Sequence, residues 1–182
     1  RLYDMIVSDT IRNEQELSAQ TAPLIEDLIS DVIATHRHLR ATPFYKAITD
    51  ENRTIDFKTL SASDSASDFT HDVAQYITTD ALSSVRIYID CPTDDIAFYS
   101  SRQHNIIQPL DNVKRTYWYG IFQGTHNSTL YCPPFYLGQR EIQNLGDMAY
   151  ITATTFYYQG VAYPAYIATY FSGDNFTRIL QD

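Results

Sequence analysis

Residues 149–171 read AYITATTFYYQGVAYPAYIATYF, and this stretch decides the fold. Two runs rich in Tyr, Ile, Val and Thr, residues 149–158 and residues 161–171, have the composition of β-strands. Gln159-Gly160 separates them, and a two-residue connection containing glycine is typical of a tight hairpin. The sequence therefore predicts a pair of long antiparallel strands near the end of the chain.

Other strand signals lie upstream of this hairpin. Residues 85–89 alternate Val, Ile and Ile with more polar side chains, which is the pattern of a half-buried strand. We expect a turn over residues 92–95 and a returning strand over residues 96–100. A further strand is predicted over residues 130–137, so the sheet should contain about five antiparallel strands.

The first half of the chain has helical periodicity instead. Apolar residues recur at three- and four-residue steps and predict a helix over residues 1–40. The clearest part of this stripe consists of Leu24, Ile25, Leu28, Ile29, Val32 and Ile33. Pro23 either kinks one long helix or occupies the first turn of a second one. Further helices are predicted over residues 44–48 and along the stripe from Phe69 to Ile77.

The segments that remain complete the predicted order. We expect a polar loop over residues 101–111, a short helix over residues 112–122 and a turn over residues 124–128. Gly173-Asp174 opens a last helix over residues 176–180, with Asp174 as its N-cap. Helices separated from an antiparallel sheet predict an α+β fold, with a long N-terminal helix packed on the sheet and a short C-terminal helix.

Size and composition predict one domain. The chain has 182 residues, 44% of them hydrophobic, which is enough for one sizeable core over residues 1–182. Within it, residues 1–80 supply the helical part and residues 81–182 the sheet. The chain begins at Arg1 rather than Met, which indicates either a segment of a longer protein or a processed start.

Charge and hydropathy exclude some classes of protein. With 22 acidic and 13 basic side chains the net charge is -9, which opposes the phosphate contacts that dominate nucleic-acid binding. We therefore expect no nucleic-acid partner. No run of 18 apolar residues and no basic, apolar leader occurs in the chain, so neither a membrane span nor a signal peptide is predicted within it.

Cys91 and Cys132 are the two cysteines, and each precedes a proline. Two cysteines are too few for a four-ligand zinc site, and neither belongs to a C-x-x-C pair. They either form a disulfide, which would suit an extracytoplasmic location, or remain two unrelated thiols.

Three stretches resemble the Cache-type, PAS-like extracytoplasmic sensor domains of bacterial receptors, especially of transmembrane histidine kinases. They are SSVRIYI at residues 83–89, RTYWY at residues 115–119, and AYIATY at residues 165–170, which leads into GDNF at residues 173–176. The resemblance covers about the last hundred residues, and its most specific element is the Trp-Tyr pair. It implies a PAS-like antiparallel sheet backed by a long N-terminal helix, with small ligands bound under the Trp-Tyr loop.

The resemblance also implies site residues. Trp118 and Tyr119 would line the pocket; the alternative is that they fill the sheet face as core. Members that bind amino acids have Arg-x-Trp-Tyr, whereas here two residues separate Arg115 from Trp118, so Arg115 either binds a carboxylate or lies on a solvated helix face. Asp174 resembles an acidic residue at the end of the last strand, which either holds a ligand amine or caps a helix. Among the many tyrosines, Tyr99 and Tyr150 are further pocket candidates.

Catalytic and metal-binding motifs are missing from the sequence. It has no G-x-S-x-G, no H-E-x-x-H and no phosphate-binding glycine loop. His36 and His38 are two residues apart on a predicted helix and so do not share a face. Cys132 with His126 lacks a third, orienting group for a thiol nucleophile. We therefore expect no enzyme activity, no metal and no cofactor.

Together these observations predict a signal-input domain on the extracytoplasmic face of a bacterial membrane. It would bind a small ligand, form a homodimer through its N-terminal helices, and bias a histidine kinase across the membrane in its membrane-anchored parent protein. The alternative is a structural extracellular protein of pilin-like architecture, which also joins a long helix to a sheet. A hydrolase using Cys132 or a serine is a third, less favoured hypothesis.

Overall fold

Five strands form a mixed sheet in the computed structural model, which describes residues 22–79, 82–92 and 106–174. The strands are β1 (Ser84–Ile89), β2 (Ile107–Pro109), β3 (Thr129–Cys132), β4 (Met148–Tyr158) and β5 (Val161–Phe171). Their order across the sheet is β2-β1-β5-β4-β3. With helices on both faces of this sheet, the fold class is α+β, as predicted.

The β4–β5 hairpin is the longest pairing in the sheet and confirms the prediction from residues 149–171. The register runs from Met148 opposite Phe171 to Tyr158 opposite Val161. Gln159 and Gly160 have φ angles of 52° and 79°, which are the positive values that a type I′ turn requires. This turn matches the twist of the two strands and fixes their register.

The prediction of a wholly antiparallel sheet is wrong. β2 runs parallel to β1, with Ile87 opposite Ile107. The predicted polar loop over residues 101–111 therefore contains a strand, which forms because Ile106 and Ile107 are buried against the edge of β1. The predicted returning strand over residues 96–100 lies outside the described residues.

Prolines shorten the predicted strand at residues 130–137. It ends at Cys132, and Pro133 caps a 3-10 turn at Pro134–Tyr136 because proline cannot donate to a strand ladder. Helix α6 (Gln139–Asn144) follows and was not predicted. The predicted helix over residues 112–122 is also divided, into a 3-10 turn at Leu110–Val113 and helix α5 at Tyr117–Gly124.

Four helices cover one face of the sheet. They are α1 (Ala22–Arg40), α2 (Pro43–Ile48), α3 (Phe57–Ser61) and α4 (Asp64–Thr78). Thr42, Asp56 and Ser63 cap α2, α3 and α4 by accepting a hydrogen bond from a backbone N–H three residues later. The helices predicted at residues 44–48 and 69–77 are confirmed, although Ile77 is 38% exposed rather than part of the core.

Parts of the predicted helices fall outside the described residues. These are residues 1–21 of the long N-terminal helix and residues 176–180 of the last helix. Within the described part of the chain, no helix is long and apolar enough to cross a membrane.

The sheet separates two cores. On the α1 side, Val85, Ile87 and Ile167 pack under the four helices. On the opposite side, α5, α6 and the two 3-10 turns cover Tyr88, Ala168 and further residues of β3 to β5. This second face is where the sequence predicts a ligand pocket.

Candidate functional site

Trp118 fills the centre of the second sheet face. Helix α5 begins after Thr116, whose side chain accepts a hydrogen bond from the N–H of Tyr119 and so places the Trp118 ring over the sheet. The Trp118 ring is 0% exposed, and its centroid lies 6.0 Å from that of Tyr88 and 5.5 Å from that of Tyr166. Trp118 therefore packs as part of the core, which is the second of the two alternatives that the sequence left open.

A buried carboxylate accepts a hydrogen bond from the indole N–H of Trp118. Glu141 is 3% exposed, and its two oxygens lie 3.3 and 3.2 Å from Trp118 Nε1. The backbone N–H of Gly138 donates to Oε1 at 2.8 Å, and the hydroxyl of Tyr170 donates to Oε2. Burial raises the pKa of Glu141 above its ordinary value of 4.5, and these donors work against that rise.

Two tyrosines extend this network towards β1. The hydroxyls of Tyr88 and Tyr170 are 2.7 Å apart, and because Tyr170 donates its hydrogen bond to Glu141, its oxygen accepts one from Tyr88. Burial raises the pKa of both phenols, so both remain protonated donors. We name Tyr88, Trp118, Glu141 and Tyr170 the Glu141 cluster.

On the α1 face, a histidine joins the longest described helix to the sheet. His36 is fully buried, with Nδ1 3.1 Å from Thr169 Oγ1 and Nε2 2.7 Å from Thr152 Oγ1. Thr169 donates its own proton to the carbonyl of Tyr150 at 3.1 Å, so its oxygen must accept from His36. The proton is therefore on Nδ1, and Nε2 accepts from Thr152.

The protonation state of His36 follows from its surroundings. Burial, together with the positive charges of Arg40 and Arg37, lowers its pKa from 6.5 to about 3. His36 is therefore neutral at physiological pH and acts as a two-way hydrogen-bond bridge between α1, β4 and β5.

A cleft of about 570 Å³ lies between α4 and the first half of β1. Its volume is within the range of sites that hold small molecules. Its apolar wall includes Val73, Ile77 and Ile106. Hydroxyl groups from both sides of the cleft, and the exposed His71 of α4, supply its polar lining.

Arg86 provides the positive charge of this cleft. Its Nη1 donates to Ser84 Oγ and to the carbonyl of Val85, both at 2.8 Å. Burial lowers the pKa of Arg86, because a low-dielectric surround disfavours the cation. In the part of the chain that the structure describes, no carboxylate forms an ion pair with Arg86.

A smaller cavity of about 350 Å³ lies between residues 51–58 and the turn of the β4–β5 hairpin. Arg53 donates to the carbonyl of Tyr157, and its guanidinium carbon lies 5.5 Å from the centroid of the Phe156 ring. Glu51 and Asp56 also line this cavity, so its positive charge already has acidic neighbours. The contacts of Arg53 attach the α2–α3 connection to the hairpin.

Of the other predicted site residues that the structure describes, Tyr119 lies beside Trp118, whereas Arg115, Tyr150 and Asp174 lie elsewhere. Tyr119 is half-buried, and its ring centroid lies 6.4 Å from that of Trp118, so these two do meet. Arg115 is exposed in the turn before α5, and Tyr150 lies on the opposite sheet face, 4.8 Å from the His36 ring. Asp174 is exposed just after β5, and the helix that it would cap lies outside the described residues, as does Tyr99.

The two cysteines lie on opposite faces of the sheet. Cys91 follows β1 and packs against the α1-side core, whereas Cys132 ends β3 in the second core. Two strands, β5 and β4, also separate β1 from β3. A Cys91–Cys132 disulfide requires Cα atoms within about 7 Å, and both thiols are free in this structure, which is the second of the two alternatives.

The sequence patterns did not single out Glu141 or Arg86. Glu141 is in a helix of six residues, which is too short to show a recognisable apolar periodicity. Arg86 had a usable signal, since it is the one charged residue inside the apolar strand Ser84–Ile89. Among the described residues, no group of three or more His, Cys, Asp and Glu side chains is arranged to hold a metal ion.

No protein-family model matches this chain, and no curated protein or solved structure shows significant similarity to it.

Proposed function

We propose that this chain is an extracytoplasmic signal-input domain of the Cache type, which binds a small ligand and passes a conformational change through its N-terminal helix. In the parent protein that helix would lead to the membrane, and the output would be a histidine kinase. The observation that carries this proposal is the double attachment of β5. Its Thr169 bonds to His36 of α1, and its neighbour Tyr170 bonds to Glu141 on the other face.

Buried polar bonds of this kind suit the transmission of a signal. Hydrogen bonds are directional, so a small shift of β5 breaks or remakes them rather than stretching them gradually. A ligand biases such a device only if it binds one arrangement better than the other. A ligand that moves Tyr170 would thereby also move Thr169 and the helix attached to it.

The surface of α1 is compatible with the proposed homodimer. Val32 and Leu39 are buried against the domain, whereas Ile29 and Ile33 remain partly exposed. Two isoleucines one turn apart supply an apolar strip against which the same helix of a second copy can pack.

A ligand screen combined with hydrogen–deuterium exchange tests this function. Amino acids, carboxylates, amines and sugars are first screened for a rise in melting temperature, which follows by mass action when a ligand binds the native state. For each hit, we expect amide exchange to change in both α1 (Ala22–Arg40) and β5 (Val161–Phe171). A silent screen, or a ligand that leaves exchange in α1 unchanged, would contradict the sensor function and favour a structural role.

A substitution separates binding from transmission. Thr169→Val removes the hydroxyl that bonds His36 but leaves the second face intact, so the ligand should still bind while the response of α1 is lost. Thr129→Val, at an exposed position in β3, is the matched control and should keep both.

A further inference from the structure

Among the described residues, the positive charge in the cleft beside β1 has no negative partner. The chain carries 22 acidic side chains, yet the described residues that line the cleft include none of them. Arg86 contributes the one guanidinium group among those residues, and it is half-buried. Within the described residues, the hydrogen bonds of its side chain come from Nη1, and both acceptors, Ser84 Oγ and the Val85 carbonyl, are neutral.

A guanidinium in these surroundings is poised to bind an anion. Withdrawing a cation from water is unfavourable unless a charge partner replaces the lost hydration. The planar guanidinium offers five donors, and two parallel N–H groups match the two oxygens of a carboxylate. With only Nη1 engaged by the protein, donors remain for such a pair.

We propose that the cleft between α4 and β1 is a binding site for a small organic monocarboxylate, whose carboxylate pairs with Arg86 and whose apolar body lies against Val73, Ile77 and Ile106. A single guanidinium favours one negative charge over a phosphate dianion or a dicarboxylate. The apolar wall favours an organic anion over an inorganic one. The hydroxyls of Ser67 and Thr70 on α4 line the same cleft and can bond a polar substituent of the ligand.

This site rests on the proposed sensor function and gives it a ligand class. The cleft lies at the edge of β1, before its pairing with β2 begins at Ile87, and its lining includes residues from both sides of the strand. Arg86 is on the side of Tyr88 and Tyr170, and Ser84 is directly opposite Tyr170 in the β1–β5 ladder. Arg86 and the two tyrosines also influence one another electrostatically. A carboxylate that neutralises Arg86 would therefore act next to the Glu141 cluster, at the start of the path to Thr169 and α1.

Calorimetric titration of the purified chain tests the site directly. Butyrate and benzoate are the probes, and butyramide and benzamide are their neutral counterparts. We expect saturable binding of the acids but not of the amides. Arg86→Met, which keeps much of the side-chain stem, should weaken binding by about tenfold or more, because it removes a charge-assisted pair. The control is Arg115→Met, an equal change of charge at an exposed position that does not line the cleft, and it should bind as the wild type does.

A second variant covers the case in which Arg86→Met does not fold. Ala74→Trp fills the cleft from an exposed position of α4, keeps Arg86, and should also abolish binding. The proposal is overturned if neither acid binds, if the amides bind equally well, or if a folded cleft variant retains the wild-type affinity.

The site and the sensor function can fail separately. Carboxylates that bind through Arg86 without changing exchange in α1 would support the site and contradict the sensor function. A ligand of another class that changes exchange in α1, with no carboxylate bound, would do the opposite.

Discussion

Thr169 and Tyr170 are consecutive residues of β5 whose hydroxyl groups bond on opposite faces of the sheet. Thr169 Oγ1 lies 3.1 Å from His36 Nδ1 in the α1 layer, whereas the Tyr170 hydroxyl bonds to the buried Glu141. Side chains alternate between faces along a strand, so two neighbours are the shortest connection between the two layers. A displacement of this part of β5 therefore changes both buried networks together.

Replacing Thr169 by valine should reveal the strength of the α1 attachment. Valine preserves the shape of threonine but leaves the buried Nδ1–H of His36 without its acceptor. We expect a loss of about 1–3 kcal/mol in the free energy of unfolding, measured by urea denaturation. Thr129→Val, at an exposed position, should change it by about 0.5 kcal/mol or less. Equal losses in the two variants would show that the His36 bond contributes nothing specific.

His36 should make the protein less stable in mild acid. Its pKa is lowered from 6.5 to about 3, so the unfolded chain takes up a proton near pH 6.5 while the folded chain does not. The stability that His36 contributes is present above pH 6.5 and is lost as the pH falls towards 3. Between about pH 8 and about pH 5 this loss amounts to about 2 kcal/mol.

The His36→Gln variant isolates this effect. Urea denaturation at several pH values should show a weaker decline in acid for His36→Gln than for the wild type. His38→Gln removes an exposed histidine from the same helix and should follow the wild-type pH profile. Parallel profiles for wild type and His36→Gln would contradict the assignment of His36 as a neutral buried bridge.

Glu141 should act in the opposite direction. Burial raises its pKa above 4.5, so the folded chain takes up this proton at a higher pH than the unfolded chain does. The stability that protonated Glu141 contributes is fully present below pH 4.5, and it is lost as the pH rises through the raised pKa of the folded state. In Glu141→Gln, which has no such proton, the gain on acidification should disappear. The exposed control Glu51→Gln should keep it, and a gain that survives in Glu141→Gln must come from other groups.

Trp118 should contribute strongly to the stability of the fold, whether or not a ligand is bound. Truncation of a fully buried tryptophan costs about 3–5 kcal/mol, and here it also removes a hydrogen-bond donor from Glu141. We expect Trp118→Ala to lower the free energy of unfolding by this amount in urea. Tyr117→Ala, at a side chain that is 50% exposed, should lower it by about 1 kcal/mol or less. A Trp118→Ala variant of wild-type stability would instead place the ring in the wall of an open pocket.

Local signals in the sequence were enough to predict the hairpin but not the edges of the sheet. Residues 149–171 contain strand composition and turn chemistry in one continuous stretch, and their pairing is between neighbours in sequence. The parallel β1–β2 pair has three residues in its second strand and joins segments that are distant in sequence, so no local pattern reveals it. The mixed character of the sheet depends on that pair.

The burial of Trp118 could not be read from the sequence for a related reason. The burial of a side chain depends on every segment that packs around it. Glu141 provides the partner that keeps Trp118 in the core, and it comes from a short helix 23 residues further along the chain. The charge of Arg86 could be read from the sequence, whereas the lack of an acidic side chain among the described residues that line its cleft depends on how α4 lies beside β1.

Close packing behind the end of β5 gives a last prediction, at Gly146. A Cβ atom at this position would lie 2.9 Å from the carbonyl oxygen of Phe171 and 3.0 Å from Tyr170 Cβ, so the backbone would have to move. Gly146→Ala should therefore lower the free energy of unfolding by about 1–3 kcal/mol. Gly120→Ala is the matched control, because a Cβ atom there meets nothing within 4 Å. Gly120 is inside α5, where alanine is the better helix former, so this variant should be more stable by about 0.5–1 kcal/mol. Urea denaturation of the two variants should therefore give changes of opposite sign in the free energy of unfolding. Equal changes would mean that the backbone around Tyr170 moves at little cost, which would contradict a rigid connection through β5.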